Sequence, residues 1–257
     1  MKHDTPEFAA IAERGTVLRC QVGSGLHGTA VDGQDDRDEM GLCVEPAEYV
    51  SGLRRFEQYV FRTQPEGVRS GPGDLDLIVY SLRKWMRLAL TGNPTVLLPL
   101  YVPDNEIVRI TDVGRELRAN AAKIVSRQAG LRFAGYLRTQ RQRMLDGATK
   151  VNRPELIEKY GFDTKYAMHM VRLGVQGVEL LETGRMTLPI AEPWLSWLRE
   201  LRRGKHTQDE ALAAAAELED RLGRLVRGAS PLPEEPDRDW ASRWLVRAYD
   251  SAWQAAA

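Results

Sequence analysis

The chain is short of cysteine, of aromatic residues, of net charge and of long apolar runs. Its two cysteines, Cys20 and Cys43, have no metal-ligand spacing, which argues against a disulfide scaffold or a zinc module. No apolar run approaches the roughly 18 residues needed to span a bilayer. The densest stretch, residues 96–102, is broken by Pro99. The opening Met-Lys-His-Asp-Thr-Pro-Glu has no hydrophobic signal core, so a cytoplasmic location without a membrane partner is expected. Lysine plus arginine number 36, and so do aspartate plus glutamate; that balance argues against a histone-like or acidic-tail protein.

What is present is globular: 257 residues with 43% nonpolar and 28% charged side chains, enough for one large domain or two modest ones. Charge is unevenly spread. Residues 1–48 hold ten acidic and four basic side chains, whereas residues 115–143 hold eight basic and one acidic. An acidic start and a basic middle point to two surfaces, one for cations and one for a polyanion.

The first third reads as mixed α/β. Residues 16–22 alternate apolar and polar and stop at Gly23, and residues 39–44 and 75–80 are further strand candidates. Ser81 stands where a helix cap would, ahead of residues 82–90, and Gly92 closes that helix. Asn93-Pro94 has the form of another helix start. From about residue 106 the pattern is helical, over residues 112–125, 131–145, 163–183 (capped by Asp163, stopped by Gly184), 208–226 and 240–253. The expected fold is α+β: a small mixed-sheet domain over residues 1–110, then a mostly helical domain over residues 111–257.

The chemistry concentrates in Val22-Gly23-Ser24-Gly25-Leu26-His27-Gly28-Thr29 and Asp35-Asp36-Arg37-Asp38. A strand ending at Gly-Ser exposes backbone amides where a phosphate can approach, and the Ser24 hydroxyl adds a donor. Residues i and i+2 of a strand share a face, so Asp36 and Asp38 project together. Two carboxylates side by side repel unless a cation relieves them, and Mg²⁺, hard and oxygen-seeking, is the natural relief, with Mn²⁺ as a substitute. A third carboxylate would complete the shell. The strand Asp74-Leu75-Asp76-Leu77-Ile78-Val79 offers Asp76 first, with Asp74 on the same face in reserve. Such a set holds a pair of ions for phosphoryl transfer.

Gly23-Ser24, Gly28-Thr29, Asp36-Arg37-Asp38 and Gly41 resemble the signature of polymerase-β-like nucleotidyltransferases. Tyr80-Ser81-Leu82-Arg83-Lys84, Gly92-Asn93-Pro94 and the run from Tyr160 to His169 are similar to a narrower bacterial and phage branch predicted to act in RNA repair, as are the link at residues 232–237 and the last helix. His27 and Asp35 depart from that pattern, where a tyrosine and a serine are more usual. The resemblance implies transfer of a nucleoside monophosphate from an NTP to a hydroxyl, with release of pyrophosphate. Asp36, Asp38 and Asp76 would be catalytic and metal-binding, and Gly23, Ser24, Lys165, His169 and Arg172 would hold the nucleotide.

On the helix from Asp163, Lys165, His169, Arg172 and Gln176 fall in one stripe, with Met170, Leu173, Gly177 and Leu181 opposite. A solvated face is the plain reading of that stripe, and the resemblance favours triphosphate contacts for Lys165 and His169. Residues 131–143 interleave Arg132, Arg138, Arg141 and Arg143 with Phe133 and Tyr136. Such a segment contacts an RNA acceptor or is an exposed helix whose rings face the core. An RNA 3′ end is the acceptor favoured by the resemblance and the basic middle. The alternatives are transfer to a protein hydroxyl and a catalytically silent nucleotide- or RNA-binding module.

Overall fold

The computed structural model describes residues 3–31, 35–65, 67–146 and 153–256. The α+β fold is built on a five-stranded mixed sheet of order β3-β4-β2-β1-β5, formed by β1 (Thr16–Val22), β2 (Arg37–Cys43), β3 (Gln58–Arg62), β4 (Leu75–Ser81) and β5 (Ile107–Ile110). The central pair, β2 and β4, is parallel and the other neighbours are antiparallel. The apolar positions of β4 explain its layering. Leu77 and Val79 join Cys43, Tyr49 and Phe56 in a core covered by Ile11 and Ala12 of α1 (Pro6–Gly15). Asp76 and Ile78 alternate to the other face.

The chain forms two compact units. The first comprises Met1–Leu90, Val96–Ile124 and Pro236–Ala257; the second comprises Thr91–Thr95 and Val125–Glu235. This departs from the expected division at residue 110, because the last helix, α12 (Arg238–Ala256), returns to the first unit. Its Tyr249 hydroxyl donates to the buried Glu45 at 2.8 Å and its Trp253 indole donates to the Glu45 carbonyl at 3.0 Å. Trp244, fully buried, and Trp253 therefore serve the sheet unit rather than the helical one.

The second unit is a helical bundle around α9 (Thr164–Thr183), which packs against α7 (Gln128–Leu145), α10 (Trp194–Arg202) and α11 (Gln208–Arg227). Asp163 caps α9 by accepting from the backbone of Lys165 and Tyr166, both at 3.0 Å, and Gly184 ends it with φ 78°. The expected side of α9 is buried: Met170, Leu173, Gly177 and Leu181 all lie in the core.

Several local expectations change. β2 begins at Arg37, two residues earlier than the apolar run indicated, so Asp38 lies inside the strand and Asp36 just before it. Asn93-Pro94 starts no regular helix: Asn93 closes a turn by accepting from Thr95, and a 3₁₀ turn follows at Leu98–Leu100. Residues 112–125 break at Asn120 into α5 (Asp112–Ala119) and α6 (Ala121–Ile124). The edge strands β3 and β5 and helix α1 carried no clear periodic signal. Ser81 does cap α4 (Leu82–Leu90), its hydroxyl accepting from the Lys84 amide at 3.2 Å.

Candidate active site

The site forms where β1, β2 and β4 begin or end side by side. In register, Val22 pairs with Asp38 and Asp38 with Asp76, so these two aspartates share one face of neighbouring strands. With Asp36 they form a cluster in which one carboxylate oxygen from each lies within 4.8 Å of the others. All three residues are half-buried. Asp74 is spent elsewhere: its carboxylate accepts from Gln64 at 3.0 Å and from the Gly71 backbone at 2.9 Å, closing the turn before β4. Asp35 likewise accepts from the Val31 amide at 2.7 Å, which ties it into the loop leading to β2.

Gly23 fits the site for two reasons. Its φ of 69° lies in the left-handed region, and a Cβ there would collide with the Asp38 carboxylate. The backbone amides of Gly23 and Ser24 open the short helix α2 (Gly23–His27), at the end of β1 and beside Asp38. His27 is buried, and Gly28 closes α2 with φ 74°.

Neighbours of Asp76 were missed from sequence because β3 was. Arg62 at the end of β3 is in register with Asp76 and donates through Nε to both carboxylate oxygens, at 3.1 and 3.2 Å. Ser70 donates to the same carboxylate at 3.0 Å and accepts from Arg62 at 2.8 Å. Three clustered carboxylates and one guanidinium leave an excess of negative charge that an oxygen-seeking divalent cation would relieve. The donor set, three carboxylates and no thiol or imidazole, fits Mg²⁺ or Mn²⁺ rather than zinc.

In the helical unit, Lys165, His169 and Arg172 follow one another along a half-buried side of α9. Burial first, and then the charges of Arg172, Lys165, Arg153 and Arg202, hold the His169 imidazole well below its ordinary pKa. Burial also pushes the Arg172 guanidinium down to about 10. Arg172 donates to Gln176 at 2.7 Å, and Arg153 donates to Asp163 at 3.1 Å. The face is therefore a half-buried gathering of basic side chains around a neutral imidazole, and Arg153 and Arg202 are members that the spacing along α9 did not reveal.

The basic segment on α7 is largely committed inside its own unit. Arg138 and Arg141 both donate to Glu219 of α11, at 2.5 and 2.9 Å. Phe133 is buried in the core and the Tyr136 hydroxyl accepts from Asn93 at 3.0 Å. The expectation of interleaved stacking rings fails for Phe133, which helical periodicity turns inward. Arg132 is exposed.

Residues 2–247 match the RNA repair pathway DNA polymerase beta family, RlaP. The chain belongs to that family. As a family member it is a polymerase-β-like nucleotidyltransferase, for which transfer of a nucleoside monophosphate is the general reaction. Among solved structures, a nucleotidyltransferase-like protein from Exiguobacterium sibiricum 255-15 is similar at 14% identity, covering 85% of this chain and 72% of that one, with a TM-score of 0.32. No curated protein matches this family member. Among the described residues, no helix is long and apolar enough to cross a membrane.

Proposed function

We propose that the protein is a divalent-metal-dependent nucleotidyltransferase that moves a nucleoside monophosphate from an NTP to the 3′ hydroxyl of an RNA. The observation that carries the reading is the meeting of Asp36, Asp38 and Asp76 from two separated segments, with ligand oxygens within 4.8 Å of one another. Family membership supports the general reaction, and the family's RNA-repair description supports RNA as the acceptor.

Asp36, Asp38 and Asp76 would hold Mg²⁺ or Mn²⁺. When bound, the metal supplies charge neutralisation at the phosphates and a lowered pKa at the attacking hydroxyl. Asp76, which completes the carboxylate set, is the group suited to orient that hydroxyl. Arg62, donating to Asp76 and held by Ser70 and the Val68 carbonyl, offsets part of the negative charge of the cluster. The amides of Gly23 and Ser24 suit a phosphate oxygen. Lys165 and Arg172, with Arg153 and Arg202, form the cationic cluster suited to the triphosphate, Lys165 as a point charge, and the neutral His169 imidazole adds a donor.

Two variants test the reading. Asp38→Asn is expected to abolish transfer of label from α-labelled NTP to RNA while the thermal unfolding midpoint stays near that of the wild type, because a crowded negative charge is removed. Activity retained by Asp38→Asn would overturn the assignment. Lys165→Ala is expected to raise the KM for NTP by about 10-fold, the loss of one charge-assisted phosphate contact of about 1.5 kcal/mol. An unchanged KM returns Lys165 to a structural role. Label found on protein and never on RNA would favour the protein-modifying alternative.

A further inference from the structure

The sheet unit holds a second concentration of charge, opposite in sign to the carboxylates and at the other end of the same strands. A cavity of about 380 Å³ lies between the end of α3 (Ala47–Val50), the segment leading to β3, and the first turns of α4. Arg54, Arg55, Arg83 and Arg87 line it against a single acid, Glu57. Arg83 and Arg87 stand four residues apart on α4 and share a face. Strand β4 runs from Asp76 to Ser81 directly into α4. Five strand rises of ~3.3 Å from Asp76 to Ser81 and two helical rises of ~1.5 Å place Arg83 about 20 Å from the acidic cluster.

The arginines are not equally committed. Arg54 pairs with Glu7, and its guanidinium lies over the Tyr49 ring, 4.5 Å from the centroid. Arg87 pairs with Glu57 at 3.2 Å. The guanidinia of Arg55 and Arg83 have no hydrogen-bond or ion-pair partner among the described residues. The Arg83 charge is felt by the buried Glu45 carboxyl, and its backbone amide donates to Tyr249. Arg55 stands exposed at the rim and Arg83 half-buried below it. Half-burying a guanidinium among three others is unfavourable unless an anion completes the site.

The lining also says which anion. Both aromatic rings at the cavity are already covered, Tyr49 by Arg54 and Phe56 by Phe8 at a centroid distance of 5.0 Å, so no ring is open for a base to stack on. The cavity offers forked, planar donors suited to phosphate oxygens and no open ring on which a base could stack. Its two uncommitted guanidinia come from different elements and lie at different depths, which suits successive phosphates of a chain better than one compact ion.

We propose that this pocket binds backbone phosphates of a nucleic-acid strand, holding it about 20 Å from the carboxylates without regard to sequence. The inference deepens the reading above, on which it rests for the strand being the RNA acceptor, and gives that acceptor a second anchor. At ~3.4 Å per stacked nucleotide, the separation corresponds to about six nucleotides.

The test is equilibrium binding of a labelled single-stranded RNA of mixed sequence to the full chain, over a range of salt concentrations, without NTP or divalent cation. The Arg55→Gln/Arg83→Gln variant is expected to bind more weakly. Its slope of log K against log salt should be shallower by about 1.4, since each lost phosphate contact on a single strand removes about 0.7. The Arg55→Lys/Arg83→Lys variant, which keeps both charges, should recover most of the slope and shows that any loss is not one of folding. An unchanged affinity and slope in the glutamine variant overturns the proposal. So does calorimetry in which inorganic phosphate or ATP depends on these arginines while RNA binding does not, because the pocket then serves a small anion. Turnover is not read, so wild-type protein that transfers nothing yet shows the salt-slope difference loses the enzymatic reading and keeps the pocket.

Discussion

Glu45 shows how much a single buried side chain can constrain this protein. It is fully buried, one carboxylate oxygen accepts from Tyr249 and the other has no hydrogen-bond partner among the described residues. Burial raises its pKa above the ordinary 4.5. A carboxyl with a raised folded pKa binds its proton more tightly folded than unfolded. Its stabilising contribution is therefore full below about pH 4.5 and declines as pH climbs from there through the folded pKa. Glu45→Gln is expected to flatten that stretch of the profile, which thermal unfolding across pH measures; an unchanged profile would mean that the carboxyl is solvated. The two cysteines give a parallel case. Burial pushes the Cys20 thiol up to about 12 and raises Cys43 well above 9.0, so both are neutral, buried thiols.

Among single elements, α9 carries most of the helical unit's packing, and two glycines permit it. A Cβ on Gly177 would lie 2.7 Å from Phe133 Cβ and 3.0 Å from Leu222 Cδ2, and one on Gly174 would lie 2.8 Å from Leu218 Cβ. α7 and α11 approach α9 closely because these positions have no side chain. Gly177→Ala gains helix propensity of about 1 kcal/mol but overpacks the contact at a cost of about 1–3 kcal/mol. The expected net is destabilisation by up to about 2 kcal/mol, read from denaturant unfolding; a stabilised variant would show that Phe133 can give way. The element was legible in sequence, since its cap Asp163, its stop Gly184 and its apolar spacing are all local. The commitment of Arg138 and Arg141 to Glu219, some 80 positions away in the chain, was not. A charge run reports only that cations are present; their partners are fixed by which helix packs alongside.

For the whole molecule, the return of α12 to the sheet unit is the least local feature. Tyr249 donates to Glu45 and accepts from the Arg83 amide at 3.1 Å, joining segments more than 160 residues apart. Tyr249→Phe leaves the buried Glu45 carboxyl and the half-buried Arg83 amide wanting and is expected to cost about 1–3 kcal/mol, measured by thermal or denaturant unfolding. A loss well below 1 kcal/mol would mean that water replaces the hydroxyl.

The amino-acid sequence by itself determined the α+β class, the three inner strands, the long helices with their caps, and the aspartates available for a metal. Those properties follow from periodicity, capping and residue type within a few positions, so short windows contain them. Tertiary structure decided which aspartate joins the pair. Asp74 and Asp76 are equivalent in spacing, and only the turn at Gly71 and the register of β2 on β4 commit one to a loop and leave the other beside Asp38. It also decided the edge strands, whose half-exposed faces show no clean alternation, and the gathering of four arginines from two elements at one cavity. Those outcomes depend on pairing and packing between distant segments, and the energy that selects them is absent until the chain has folded.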